Sequence, residues 1–167
     1  MKKLLCLLLA CILSTSLLAC DKDKIKIPER TTYYDNMSVF GLAKNAEEEL
    51  VSPPVFIDMM PEIISDAGGI SLLLCDQYVA KKAESDLLDE YGIFHCSKGD
   101  SLDDLYQSVQ NYVNNRKNDT QTLSHYNDAD TVKNGKLAVY GNYVVYTFLP
   151  DNGNDLFHAM VESILTE

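Results

Sequence analysis

Between Ser101 and Leu165 the chain passes from apolar side chains at a helical period to two β-rich runs and back again, and few folds satisfy that order. Leu102, Leu105, Tyr106, Val109, Tyr112 and Val113 recur at helical spacing and predict an amphipathic helix running to about Arg116. Ser101 and Asp104 stand at capping-box spacing, with Asp in place of Glu. Lys136 to Tyr140 and Asn142 to Leu149 are β-rich runs joined at Gly141-Asn142, a short hairpin signal. Pro150-Asp151-Asn152-Gly153 ends the second run, and Asn154 or Asp155 is expected to cap a last helix. Its Leu156, Phe157, Met160, Val161, Ile164 and Leu165 form one apolar stripe.

The earlier half is less periodic. Leu42, Ala43, Ala46 and Leu50 around Glu47-Glu48-Glu49 suggest a short helix that Ser52-Pro53-Pro54 stops. Gly68-Gly69 marks a turn, and Gln77 to Lys81 reads as a strand, although Leu72 to Leu74 fit a helix equally well. Tyr91 to Cys96 is a β-rich run closed by Ser97-Lys98-Gly99. Lys117 to Gly135 is polar and turn-rich, with Leu123 and Tyr126 as its expected anchors. Two amphipathic helices need one apolar sheet face to cover. The expected class is therefore α+β, a two-layer sandwich of a small, largely antiparallel sheet covered on one face by helices.

The front of the chain carries an address. Met1-Lys2-Lys3 followed by Leu4 to Leu13 has the charged and apolar regions of a secretory signal, and Leu17-Leu18-Ala19-Cys20 resembles the bacterial lipobox. Residues 1–19 are expected to leave as a signal peptide, with Cys20 diacylated and 20–41 forming the lipidated start and a flexible tether. Residues 42–167 then make one globular domain. Two acyl chains hold a protein stably where one does not, so the expected place is the extracytoplasmic face of the cell membrane, anchored through a diacylglyceryl group. At 167 residues, 46% hydrophobic and 23% charged, the chain has the balance of a single domain. Its 25 acidic against 14 basic side chains, with two of the latter in the leader, repel phosphate backbones, and nucleic acid is excluded as a partner.

Two cysteines, Cys75 and Cys96, remain beyond the lipobox, and a disulfide between them and two buried free thiols fit equally well. His95 stands beside Cys96, the residue types of a thiol nucleophile or a metal site, but neighbours on a strand face opposite ways. A core Cys96 and a surface His95 are expected. Asp151 to Asp155 with Glu162 lacks the glycine and the oxygen ligands that a calcium loop needs, and helix capping accounts for those residues. No catalytic residues, metal or cofactor are assigned. Ten tyrosines with no tryptophan tilt the chain toward interface chemistry. Tyr126, Tyr140, Tyr143 and Tyr146 are the candidate binding surface; Tyr143 and Tyr146 lie on opposite sheet faces, so one is expected in the core and one outside.

Asp89-Glu90-Tyr91-Gly92-Ile93-Phe94, the helix ending Asn114-Asn115-Arg116, Tyr126, and Gly141-Asn142-Tyr143-Val144-Val145 before a closing helix resemble a family of uncharacterised bacterial lipoproteins, DUF 4358. The likeness spans 89–165, about half the chain, and departs at Asn127, where a proline is expected. It implies the fold and the address and carries no chemistry. The expected function is that of a non-catalytic binding domain for a protein partner or a cell-envelope component. The alternatives are a small-ligand or solute-binding lipoprotein and, behind it, a thiol or metal enzyme.

Overall fold

The structure, a computed structural model, describes residues 33–35, 37–85 and 87–166. Residues 1–19, expected to leave as a signal peptide, and Cys20 lie outside the described residues. Five strands form one antiparallel sheet in the order β1-β2-β3-β5-β4: β1 (Phe56–Asp58), β2 (Gln77–Ala83), β3 (Glu90–His95), β4 (Lys136–Tyr140) and β5 (Tyr143–Phe148). The helices are α1 (Val39–Glu48), α2 (Leu102–Asn118), the short α3 (Thr120–Leu123) and α4 (Ala129–Lys133), and α5 (Gly153–Thr166). No helix among the described residues is long and apolar enough to cross a membrane.

The α+β class and the antiparallel sheet are as expected, and the layering is the finding. Every residue of β3 and of β5 is buried. On one face Phe94, Val144, Tyr146 and Phe148 pack with Leu102, Leu105, Val109 and Tyr112 of α2. On the other, Tyr91, Ile93, Tyr143 and Val145 pack with Leu42 and Ala46 of α1 and Phe157 and Val161 of α5. The helices therefore cover both faces instead of one. The two longest helices, α2 and α5, take opposite sides, and α1 completes the second layer.

Local chemistry sets the ends of these elements. Ser38 caps α1, its side chain accepting from the Gly41 amide at 3.1 Å. Asp103 and Asp104 open α2 while Arg116 and Lys117 close it, each sign matching the helix dipole. Ser101 does not cap α2: it belongs to a 3₁₀ turn, Gly99–Ser101, and its φ of -97° and ψ of -7° aim the hydroxyl away from the orphan amides. In the Gly141-Asn142 turn, Gly141 takes a φ of +58°, the conformation a tight hairpin turn needs at its first position. Lys117 to Gly135 is more ordered than its composition suggests. Asp119 accepts from Thr122 N at 3.0 Å to start α3, and Leu123 and Val132 are buried as anchors, whereas Tyr126 is not.

The domain also starts earlier than residue 42. The Tyr34 amide donates to Leu165 O at 2.8 Å, the Tyr143 hydroxyl donates to Met37 O at 2.7 Å, and Val39 is fully buried. Residues expected in the tether are part of the packed layer, because the second sheet face needs the apolar surface of α1.

Inside the α2 layer one carboxylate is fully served. Glu90 accepts from the hydroxyls of Tyr112 and Tyr146, the latter at 2.6 Å, and pairs with Arg116 at 3.4 Å. Gly92 makes room for that arrangement, since it faces the Tyr146 ring across the β3–β5 register. A methyl group there would strike that ring and come within 2.7 Å of Phe94 Cε2. Gly92→Ala is expected to destabilise the domain by about 1–3 kcal/mol through overpacking. Urea unfolding reads this as a lower midpoint at unchanged slope.

Candidate functional site

A broad concavity lies between the β2–β3 connection and the segment that carries α3. Two backbone features place it. α3 ends at Leu123, whose burial leaves His125 to Asp128 to turn outward, and Asp128 Oδ2 accepts from Leu88 N at 2.9 Å, tying the two loops together. The resulting open cleft has a volume of about 1050 Å³ and is lined by Ser85, Leu87, Gln121, Thr122, His125, Tyr126, Asn127 and Asp128. Beside it a smaller cavity of about 250 Å³ shares Ser85, Leu87, Thr122 and Tyr126 and reaches inward to Glu90 and Arg116. An exposed aromatic ring with amide, hydroxyl and carboxylate groups around it can stack on a flat apolar face while hydrogen-bonding polar substituents.

Of the four tyrosines expected at the binding surface, Tyr126 alone is exposed, at 38%, and it lines this cleft. Tyr140, Tyr143 and Tyr146 are buried. Their alternation across the sheet is as expected, but both faces are covered, so neither Tyr143 nor Tyr146 reaches solvent. Each hydroxyl is used internally: Tyr146 on Glu90, Tyr143 on Met37 O, and Tyr140 in a hydrogen bond with His158 Nδ1 at 2.9 Å. Burial, with the Lys136 charge, lowers the His158 pKa to about 4 and keeps the ring neutral.

Cys75 and Cys96 are free thiols. Both belong to the α2-side core, where the Cys96 thiol donates to Lys98 O at 3.2 Å. Burial first, then the neighbouring Cys96 and Asp76, push the Cys75 thiol up to about 12. A thiol in that range is protonated at neutral pH and offers little thiolate as a nucleophile. No cluster of metal-ligating side chains occurs among the described residues.

His95 is buried, not on the surface as expected, and it organises a group that no local motif announces. One ring nitrogen donates to Asp76 Oδ1 at 2.6 Å and the other to Asp35 Oδ1 at 2.5 Å. Two ionised carboxylates are acceptors only, so both ring nitrogens carry protons and His95 is an imidazolium. Asn142 donates to the second oxygen of Asp35 at 2.7 Å, and the Tyr143 ring packs against the imidazole. Burial alone would lower the His95 pKa; the hydrogen bonds and charges of Asp35 and Asp76 outweigh it and raise the value. For Asp76 burial likewise opposes, and His95 wins, lowering the carboxyl. With both nitrogens engaged, the imidazole has none to offer a substrate. Its work is to clasp the segment from Tyr33 to Met37 onto the end of β3. Its two partners, Asp35 and Asp76, are 60 and 19 residues away from His95, and sequence spacing holds no signal for them.

The signs follow by linkage. His95 stabilises fully below the ordinary histidine range and loses its contribution as the pH rises through its raised folded-state pKa. Asp76 stabilises above the ordinary carboxylate range and loses its contribution as the pH falls through its lowered pKa. The clasp is strongest between these limits. Hydrogen-exchange protection of the Tyr34 amide, corrected for intrinsic rates, is expected to fall about tenfold on the alkaline side, since a charge-assisted bond with half-exposed partners is worth roughly 1–2 kcal/mol. In His95→Gln that protection is expected to be low throughout and to lose its alkaline step.

Comparison of the chain with protein-family models, with characterised proteins and with solved structures finds no match.

Proposed function

We propose that the chain is a lipid-anchored extracytoplasmic binding domain, held at the membrane by a diacylglyceryl group on Cys20, and that it grips a polar component of the cell envelope through the cleft around Tyr126. The lipobox-like Leu17-Leu18-Ala19-Cys20 supports the address, together with the resemblance of 89–165 to the DUF 4358 lipoproteins. The cleft carries the rest of the reading. Its exposed ring stands among Gln121, Thr122, Asn127 and Asp128, a set suited to a hydroxyl- and amide-rich chain such as a wall glycan or an extended peptide. The cleft is wide open to solvent, whereas a captured small solute is buried over most of its surface. A partner that runs across the cleft fits that shape better. The engaged nitrogens of His95 and the protonated Cys75 thiol support binding over catalysis.

The test is cosedimentation of the full-length lipidated protein with purified cell-wall sacculi, alongside crosslinking in intact cells. Tyr126→Ala is expected to weaken retention about tenfold, the loss of one stacking anchor of about 1–2 kcal/mol, while leaving thermal unfolding unchanged. Cys20→Ser is expected to release the protein from the membrane and leave wall binding intact. Equal retention of Tyr126→Ala and the native chain would refute the cleft as the contact site.

A further inference from the structure

Asp89 immediately precedes β3 and is only 3% exposed, yet no cation pairs with its carboxylate among the described residues. The hydrogen bond it holds comes from its own backbone N–H, and the charge acting on it is that of Asp128, which has the same sign. A buried carboxylate in that state is costly unless a positive group reaches it. One path to it is a cavity of about 190 Å³ between two loops, Leu50 to Pro54 and Leu149 to Gly153. Leu50, Val51, Pro53, Pro54, Leu149 and Pro150 give this cavity apolar walls, and its ionisable lining groups are Asp89 and Asp151, both acids. Three prolines stiffen the two loops, so the cavity keeps its shape without a ligand. On its other side Asp89 meets the 250 Å³ cavity, where Lys82 and Arg116 already supply positive charge alongside Glu90. The side with no base is the one that suits a cation.

We propose that this cavity binds a primary alkylammonium group, whose charge pairs with the Asp89 carboxylate while its short alkyl chain lies against Leu50, Pro54 and Leu149. A metal ion is a poor fit, because a hard cation takes six or more oxygens, whereas the lining carries four polar side chains, Ser52, Asp89, Asp151 and Asn152, among apolar ones. An anion meets two carboxylates. The cavity shares no lining residue with the Tyr126 cleft, so its failure would leave the wall-binding reading untouched.

Protonation adds a second handle. Burial, then the Asp128 charge, push the Asp89 carboxyl up to about 6. The groups facing it are Asp128 before α4, Asp151 in the β5–α5 loop, and Lys82, Glu90 and Arg116 on the far side. Ammonium binding needs the ionised form, so affinity rises as the pH passes through Asp89's pKa and levels off above it.

The experiment uses the full chain in detergent micelles with its aspartate carboxyl carbons labelled with carbon-13, titrated by NMR with n-butylammonium, n-butanol or butyrate, and with an end-blocked Ala-Lys-Ala peptide. Saturating n-butylammonium is expected to lower the Asp89 pKa by at least one unit, equivalent to a tenfold preference for the ionised form, while butanol and butyrate leave it unchanged. Asp89→Asn is expected to weaken butylammonium binding at least tenfold. Should that variant not fold, the native titration alone decides. Binding of butylammonium but not the peptide supports the site and assigns it to free amines; binding of both supports it and admits a lysine side chain. An Asp89 pKa that does not respond to butylammonium, or butanol binding as well as the ammonium, overturns the proposal.

Discussion

β3 and β5 are buried on both faces along their whole length, and the rest of the structure follows from that constraint. An antiparallel sheet with one wet face could have ended with α2 alone. Here a second apolar face, built from Tyr91, Ile93, Tyr143 and Val145, has to be covered as well, and α5 by itself leaves part of it open. α1 fills the remainder, held by Glu47, which pairs with Lys81 at 2.9 Å and accepts from the Tyr91 hydroxyl. That is why residues before 42 belong to the domain. Recruiting them brings Asp35 to His95.

The clasp at His95 therefore has a mechanical meaning. If the chain is tethered at Cys20, any pull on the tether arrives first at Tyr33 to Met37. Hydrogen bonds to Leu165 O, to Met37 O and to the His95 ring lie across that path, between the anchor and the strands that carry the core. Two half-exposed carboxylates on one buried imidazolium make a joint whose strength depends on charge, unlike the dry contacts of α1 behind it.

Much of the fold was legible because periodicity reports burial. The α2 and α5 stripes, the hairpin and β3 could all be read in this way, and β2 could be placed only ambiguously beside Leu72 to Leu74. What alternation cannot say is whether the opposite face is wet. Tyr143 and Tyr146 were correctly put on opposite faces, and the inference that one must be exposed failed because each face has its own helical cover. The short β1, with three residues and little apolar pattern, forms only by pairing with β2, at Phe56 with Ala83 through Asp58 with Lys81. Of the candidate surface, Tyr126 survived since its segment turns outward after a buried Leu123. The Asp35–His95–Asp76 group had no local signal at all, being assembled by tertiary packing from three separate elements.

Asp89 and Glu90 make the same point about charge. Adjacent in sequence and both nearly buried, they sit at the entry to β3, Asp89 just before it and Glu90 as its first residue, and sequence patterning treats them alike. Alternation sends Glu90 toward α2, where two tyrosine hydroxyls and Arg116 satisfy it. Asp89 also lines the cavity between the proline loops, where most neighbours are apolar and the one other ionisable group is Asp151. The fold thus has the means to satisfy a buried acid, and uses them one residue away. A structural role alone would be served by a neutral side chain at 89, without the cost of desolvating a charge. A carboxylate held unpaired at the wall of a preformed apolar cavity instead has its counterpart in a cation brought from outside.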